Sequence, residues 1–147
     1  MAFEETVTRL IAAARACADC YRVGSDNLPQ EPSIGHFFDE QADYHELAAE
    51  WLEETLIDSG KRPVAEILAA PPPEGWTHPA QGDTNPKTII EACHASQELT
   101  AIEFANAERD LPSAWAEQVR NYVNNMRSAI AKLHVWMQEK EIGPQPR

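Results

Sequence analysis

Apolar residues recur every three or four positions along four stretches of the chain, which is the spacing of one face of an α-helix. The first stretch covers residues 2–23. Its apolar stripe consists of Phe3, Val7, Leu10, Ala14, Cys17 and Tyr21. Gly24 follows as a left-handed stop, and residues 25–29 have the composition of a loop. The pattern therefore predicts a first helix that ends before Gly24.

Three further helices are predicted by the same periodicity. The second runs from about residue 33 to 58, and the third from 86 to about 109. The fourth follows a tight break at 110–113 and ends at about Glu141, before a Gly-Pro pair. Short breaks join the first helix to the second and the third to the fourth, so each of these pairs is expected to be antiparallel.

The second and third predicted helices are joined by a long connection at about 60–86, which is rich in proline and glycine. Only residues 63–70 suit a short helical turn there, and Pro86 suits the first position of the next helix, after Asn85 or Thr84 as N-cap. Such a connection can climb a helix of about 26 residues, which is about 39 Å long. The sequence thus predicts an all-α single domain over 1–147, a ferritin-like four-helix bundle with one long crossover between helices 2 and 3.

Several positions resemble a bacterial ferritin-like family known only as a four-helix-bundle domain of unknown function. The resemblance rests on the order of the helices, the register from Leu10-Ile11 to Tyr21-Arg22, the crossover, the Glu98 region, and the Leu133-His134 end of the fourth helix. It covers nearly the whole chain. It implies a fold, but because the family has no assigned activity, it implies no reaction.

Histidine and glutamate side chains on the predicted helices are the candidate metal ligands. These are Glu91, His94, Glu98, His45 and His134. Ferritin-like di-iron proteins carry one Glu on each of two helices and a Glu-x-x-His on each of the other two. Here alanine stands three positions before His45 and before His134, and the one Glu-x-x-His, Glu91 to His94, lies on the third helix. We therefore expect a degenerate site for one transition metal ion (Fe or Zn) rather than a di-iron centre.

Depth along the bundle groups the candidate residues into two sets. A rise of about 1.5 Å per residue puts His45 level with Glu98 at mid-bundle. It puts the cysteines near one end, with His94 and His134. The three cysteines are Cys17, Cys20 and Cys93. Buried cysteines commonly pack as small hydrophobes, and a zinc or copper site or a redox pair of Cys17 and Cys20 are the alternatives.

Charge and composition narrow the function classes. The 147 residues carry a formal net charge of -12, which disfavours binding to nucleic acid and to anionic membrane surfaces. Three cysteines suit a reducing cytoplasm, and the acidic, amphipathic start MAFEETVTRL is unlike a signal peptide. No nucleotide-binding, zincin or serine-hydrolase motif occurs, so a catalytic role is not favoured.

Three functions remain open from the sequence alone. The first is a metal-binding bundle in metal handling or the stress response. The second is a non-catalytic interaction module, which would bind a protein partner or a second copy through its acidic surface and the Trp76 region of the connection. The third is a thiol redox protein.

Overall fold

The computed structural model describes residues 3–71, 78–80 and 82–142, with the side chains described as far as residue 139. Its α-helices are α1 (Phe3–Asn27), α2 (Pro32–Asp58), α3 (Ala65–Ala69), α4 (Pro86–Ala107) and α5 (Ser113–Ile142), and a 3-10 turn (Glu108–Asp110) lies before α5. No strand occurs in these residues. The prediction of an all-α protein is therefore confirmed.

Helix α1 continues past Gly24 to Asn27, so the predicted stop at Gly24 and the predicted loop at 25–27 are wrong. A Cβ atom on Gly24 would lie 2.8 Å from the Phe38 ring and 3.2 Å from the Cys93 sulfur. Glycine is needed here because α2 and α4 pack closely against the α1 backbone. The turn after α2, in contrast, contains Gly60 with φ +85°, a value that favours glycine.

The other helix bounds differ from the predicted ones by a few residues. Helix α4 ends at Ala107 and passes into the 3-10 turn, so its last predicted residues are not α-helical. Of the two N-caps considered, Asn85 has this role, because its Oδ1 accepts a hydrogen bond from the Lys87 backbone N–H at 3.0 Å. The predicted stop at 143–144 lies outside the described residues.

Contacts between the helices give their directions. Helix α1 is antiparallel to α2, since Arg15 pairs with Glu53 and Arg22 pairs with Asp43. Helix α1 is also antiparallel to α4. Cys20 contacts Cys93, whereas Cys17, about one turn before Cys20, contacts Thr100, which lies about two turns after Cys93. Helices α2 and α4 therefore run in the same direction.

The described parts of the connection between α2 and α4 contact both ends of α1. Near its start, Lys61 pairs with Glu4, and the Val64 backbone N–H donates to Thr8 Oγ1 at 3.0 Å. Near its end, Asn27 Nδ2 donates to the Ala80 carbonyl at 3.0 Å. The short helix α3 packs against α1 between these points, with Ile67 and Leu68 half-buried.

Two groups of buried apolar residues fill the bundle. The lower core lies at the end where α1 begins and contains Val7, Leu10, Ile11, Ala14, Ala48, Ala49, Leu52, Leu56, Ala101, Phe104, Ala107, Leu111, Ala116, Val119, Tyr122, Val123 and Met126. The upper core contains Cys17, Ala18, Cys20, Tyr21, Leu28, Ile34, Phe38, Ala42, Ile89, Ile90, Cys93 and Leu133.

An aromatic seam fills the space between α2 and α5. It is formed by Phe37, Tyr44, Trp51, Trp115, Tyr122 and Trp136. Phe37 and Trp136 have ring centres 5.2 Å apart, and Trp51 and Trp115 have ring centres 6.0 Å apart. The pairing of early α2 residues with late α5 residues makes these two helices antiparallel.

Candidate functional site

A layer of buried polar side chains lies where the lower and the upper core meet, and it shares Tyr21 with the upper core. It consists of Tyr21, His45, Ser96, Gln97 and Thr100, all with no exposed surface. His45 follows the α2 stripe between Ala42 and Ala48, and Gln97 follows the α4 stripe between Cys93 and Ala101. Burying polar groups is costly unless they are hydrogen-bonded, so the partners of this layer decide its chemistry.

One hydrogen-bonded chain crosses the layer from α1 to α2. Tyr21 Oη donates to Gln97 Oε1 at 2.8 Å, Gln97 Nε2 donates to His45 Nε2 at 3.0 Å, and His45 Nδ1 donates to the Gln41 carbonyl at 2.7 Å. An amide nitrogen only donates, so His45 Nε2 must accept and the imidazole proton must lie on Nδ1. The opposite amide orientation would leave Nδ1 facing the Gln41 carbonyl without a proton.

Both titratable groups of this hydrogen-bonded chain are neutral at neutral pH, and burial strengthens the neutral form of each. Burial lowers the pKa of His45 to about 4, although the hydrogen bond to the Gln41 carbonyl acts in the opposite direction. It also raises the pKa of Tyr21 well above its usual value, helped by the neighbouring thiols. The layer is therefore a fixed arrangement of neutral dipoles.

His45 and Glu98, which the sequence places at the same depth as one candidate group, do not meet in the structure. The partner of His45 is Gln97, whereas Glu98 is exposed and pairs with His94, with 3.2 Å between Oε1 and Nδ1. Tyr21, Gln97 and His45 do not fit a di-iron centre, because such a centre needs bridging carboxylates and the layer contains none.

The three cysteines form a thiol cluster that adjoins the polar layer, since Cys17 contacts Thr100 and Cys20 contacts Ser96. All three have no exposed surface, and Cys20 Sγ and Cys93 Sγ lie 3.7 Å apart across the contact between α1 and α4. The Cys93 thiol is also 3.7 Å from the Cys20 carbonyl, which can accept its proton. The sequence offers a redox pair of Cys17 and Cys20 as one alternative to core packing, but in the structure Cys20 lies next to Cys93.

The thiols differ in how easily they lose a proton. In the neutral cluster the Cys20 thiol donates to Cys93 Sγ. The hydrogen bond between these two thiols lowers the pKa of Cys20 and outweighs the effect of burial, with Ser96 acting in the same direction. Burial raises the pKa of Cys17 and of Cys93. A thiolate in this cluster would therefore form at Cys20, with the Cys93 proton turned towards it.

The predicted metal ligands are divided between the interior and the surface. His45 belongs to the polar layer, whereas His94, Glu98 and His134 lie together at the surface between α4 and α5, and Glu91 is exposed. In the described part of the chain, no three His, Cys, Asp or Glu side chains are arranged to hold a metal ion. The five residues therefore do not form one shared site.

Gln97, which joins Tyr21 to His45 in the buried hydrogen-bonded chain, is not among the candidate residues predicted from the sequence. Gln97 stands four positions after Cys93 and four before Ala101, so it lies on the apolar stripe of α4. A polar residue on such a stripe needs a buried partner, and this signal points towards the polar residues on the facing stripes, Tyr21 and His45.

The large exposed apolar residues in the described part of the chain lie on three different helices. Leu47 and Ile57 lie on α2, Ile102 on α4 and Val135 on α5. Trp76, which the interaction hypothesis used, lies outside the described residues. None of the described helices has the length and apolar character needed to cross a membrane.

A scan against protein-family models finds no match for the chain, and a search of curated proteins finds no significantly similar sequence. The resemblance to a ferritin-like family therefore stays a prediction. What the structure defines is the class of the protein, an all-helical bundle with a buried polar layer and a thiol cluster.

Proposed function

We propose that the chain has the ferritin-like arrangement, with residues 59–85 as the long crossover. Two observations support it: α2 and α4 run in the same direction, and the connection contacts first the beginning and then the end of α1. Spin labels on the exposed residues Ser59 and Asn85 test the proposal. A crossover along α1 separates them by about 37 Å, whereas a connection that stays at one end keeps them within about 20 Å.

We propose that the protein is a peroxide-responsive dithiol protein, in which Cys20 and Cys93 form a reversible disulfide between α1 and α4. The observation that carries this proposal is the 3.7 Å separation of the two sulfur atoms. A disulfide needs about 2.0 Å between them, which rotation of the two side chains and a small approach of the helices can supply.

The reaction has two steps and transfers two electrons to hydrogen peroxide. The Cys20 thiol first gives up its proton, and the thiolate attacks one peroxide oxygen so that the O–O bond breaks. The leaving hydroxide takes up the proton that Cys20 released, which gives the sulfenic acid and one water. Cys93 then attacks the sulfur of the Cys20 sulfenic acid, and its proton leaves with the hydroxyl group as a second water. Two thiols and one peroxide thus give one disulfide and two waters.

Burial favours a small oxidant. Because the thiols have no exposed surface, a bulky disulfide would have to separate α1 from α4 to reach Cys20 Sγ. Hydrogen peroxide is close to water in size and needs only a local opening of the packing. The pKa of Cys20 is lowered, which gives it the thiolate character that the first step requires.

Mass analysis of the reduced chain after peroxide treatment tests this function. The wild-type and Cys17→Ser proteins are expected to lose two hydrogens and to yield a peptide pair that joins Cys20 and Cys93. Cys93→Ser is expected to stop at the sulfenic acid, which a dimedone probe traps, and Cys20→Ser is expected to remain unreacted. A disulfide between Cys17 and Cys20, or equal reaction of Cys20→Ser, would overturn the proposal.

A further inference from the structure

Two histidines from different helices face each other at the surface between α4 and α5. The ring centres of His94 and His134 lie 6.2 Å apart, and the two planes are inclined by 39°. His134 is exposed, and the His94 side chain is 15% exposed. Cys93, the residue before His94, points into the upper core, so this surface pair is separate from the thiol cluster.

A carboxylate holds one of the two rings in a defined orientation. Glu98, one turn after His94 on the same helix, has its Oε1 3.2 Å from His94 Nδ1. Nδ1 therefore carries the proton and donates it, which leaves the Nε2 lone pair as the donor for another group. Metal-binding histidines commonly have this arrangement, with the second ring nitrogen bound to a carboxylate that is not itself a ligand.

We propose that His94 and His134 bind one divalent transition metal ion of the kind that prefers imidazole, such as Zn²⁺, with Glu98 as the positioning residue. Two imidazoles on a tetrahedral ion have ring centres about 5 Å apart. Because His134 is exposed, a rotation of its side chain closes the remaining distance without moving a helix. Water completes the coordination, so the ion is accessible and exchangeable.

The proposal agrees with the finding that the predicted metal ligands are divided between the interior and the surface of the bundle. It uses two donors rather than three, and it assigns Glu98 to orientation instead of coordination. The net charge of -12 and the exposed Glu91, one turn before His94, also favour a cation at this surface.

Titration calorimetry of the reduced, full-length protein with zinc chloride tests the site. We expect one Zn²⁺ per chain, at least tenfold weaker binding in His94→Gln and in His134→Gln, and about tenfold weaker binding in Glu98→Gln. The matched control is His36→Gln. His36 is an exposed histidine that also contacts a carboxylate one turn later, Glu40 at 3.4 Å, and its substitution is expected to leave the affinity unchanged.

The same titrations contain the results that would overturn the proposal. These are the absence of saturable binding in the wild-type protein, unchanged binding in His134→Gln, and binding that is lost in Cys20→Ser instead. Circular dichroism of each variant checks folding. Since His134 and Glu98 are exposed, their variants are expected to keep the wild-type spectrum.

Discussion

The lower and upper cores belong to the same bundle but contain different kinds of side chain. The lower core is filled with aliphatic and aromatic groups, such as Leu52, Phe104 and Met126. The upper core contains three thiols and Tyr21 and borders the polar layer. Apolar contacts stabilise a core in proportion to the buried area, whereas buried polar groups contribute only when each partner is in place.

Because of this difference, the lower core contributes stability, whereas the reactive groups lie elsewhere in the molecule. The lower core contains no cysteine, histidine or carboxylate, and it also carries the packing of α3. The reactive groups lie in the upper core and in the adjoining layer, where each depends on one or two named partners. We therefore expect substitutions in the two regions to differ in the conditions under which they change stability or reactivity, and not only in the size of that change.

Removal of a large side chain from the lower core is expected to have the largest effect. Phe104→Ala should lower the free energy of unfolding by about 3–5 kcal/mol, because it removes a fully buried ring and leaves a cavity. Ile102→Ala on the same helix is the control, since Ile102 is 54% exposed, and its effect should stay within about 0.5 kcal/mol. Urea denaturation measures both, and similar losses would contradict the assignment of the lower core.

Acid should act mainly on the polar layer, through His45. Its folded-state pKa of about 4 lies below the unfolded value of about 6.5, so between these values the unfolded chain binds more protons and stability rises with pH. Lowering the pH from 7 to 4 should cost about 3 kcal/mol through this residue.

The variant His45→Gln isolates this effect from that of the carboxylates. Its stability should change less between pH 7 and pH 4 than that of the wild-type protein, by about 3 kcal/mol in denaturant titrations. His36→Gln should retain the wild-type pH dependence because His36 is exposed. Identical pH dependence in wild type and His45→Gln would show that His45 is not buried in its neutral form.

A methyl group at Gly24 should disturb the upper core. Gly24→Ala is expected to destabilise the protein by about 1–3 kcal/mol, because the new Cβ would lie 2.8 Å from the Phe38 ring. Gly35→Ala is the matched control. The nearest atom there is Ser25 Oγ at 3.6 Å, so the helix propensity of alanine should stabilise α2 by up to about 1 kcal/mol. Thermal unfolding distinguishes the two signs.

Surface ion pairs are expected to contribute similar, small amounts to the stability of the lower and the upper half of the bundle. Arg15–Glu53 beside the lower core and Arg22–Glu46 beside the upper core both join α1 to α2 through partly exposed side chains. Each is expected to contribute less than about 1 kcal/mol in a double-mutant cycle, and less in high salt. A much larger coupling for either pair would mean that the surface also stabilises one half selectively.

The sequence is sufficient to predict the helices, but it is not sufficient to predict which buried side chains contact each other. Periodicity gives each apolar stripe, so the long helices follow within a few residues. The number of residues along a helix gives the height of a side chain on the helix axis, but not the direction in which that side chain points around the axis. Gln97 and Glu98 lie at nearly the same height, yet they are about 100° apart around α4, which is why His45 meets the first and not the second. The predicted helix stop at Gly24 is wrong because glycine is required there by the close approach of Phe38, which is distant in sequence.

The aromatic seam allows one part of the molecule to be monitored by tryptophan fluorescence. It contains Trp51, Trp115 and Trp136, three of the four tryptophans, and it lies on the opposite side of the bundle from the contact between α1 and α4 that holds the thiols. Indole emission therefore reports on the separation of α2 from α5, whereas thiol reactivity reports on the separation of α1 from α4. A thiol that reacts without a change in emission would reveal a bundle that opens along one side only.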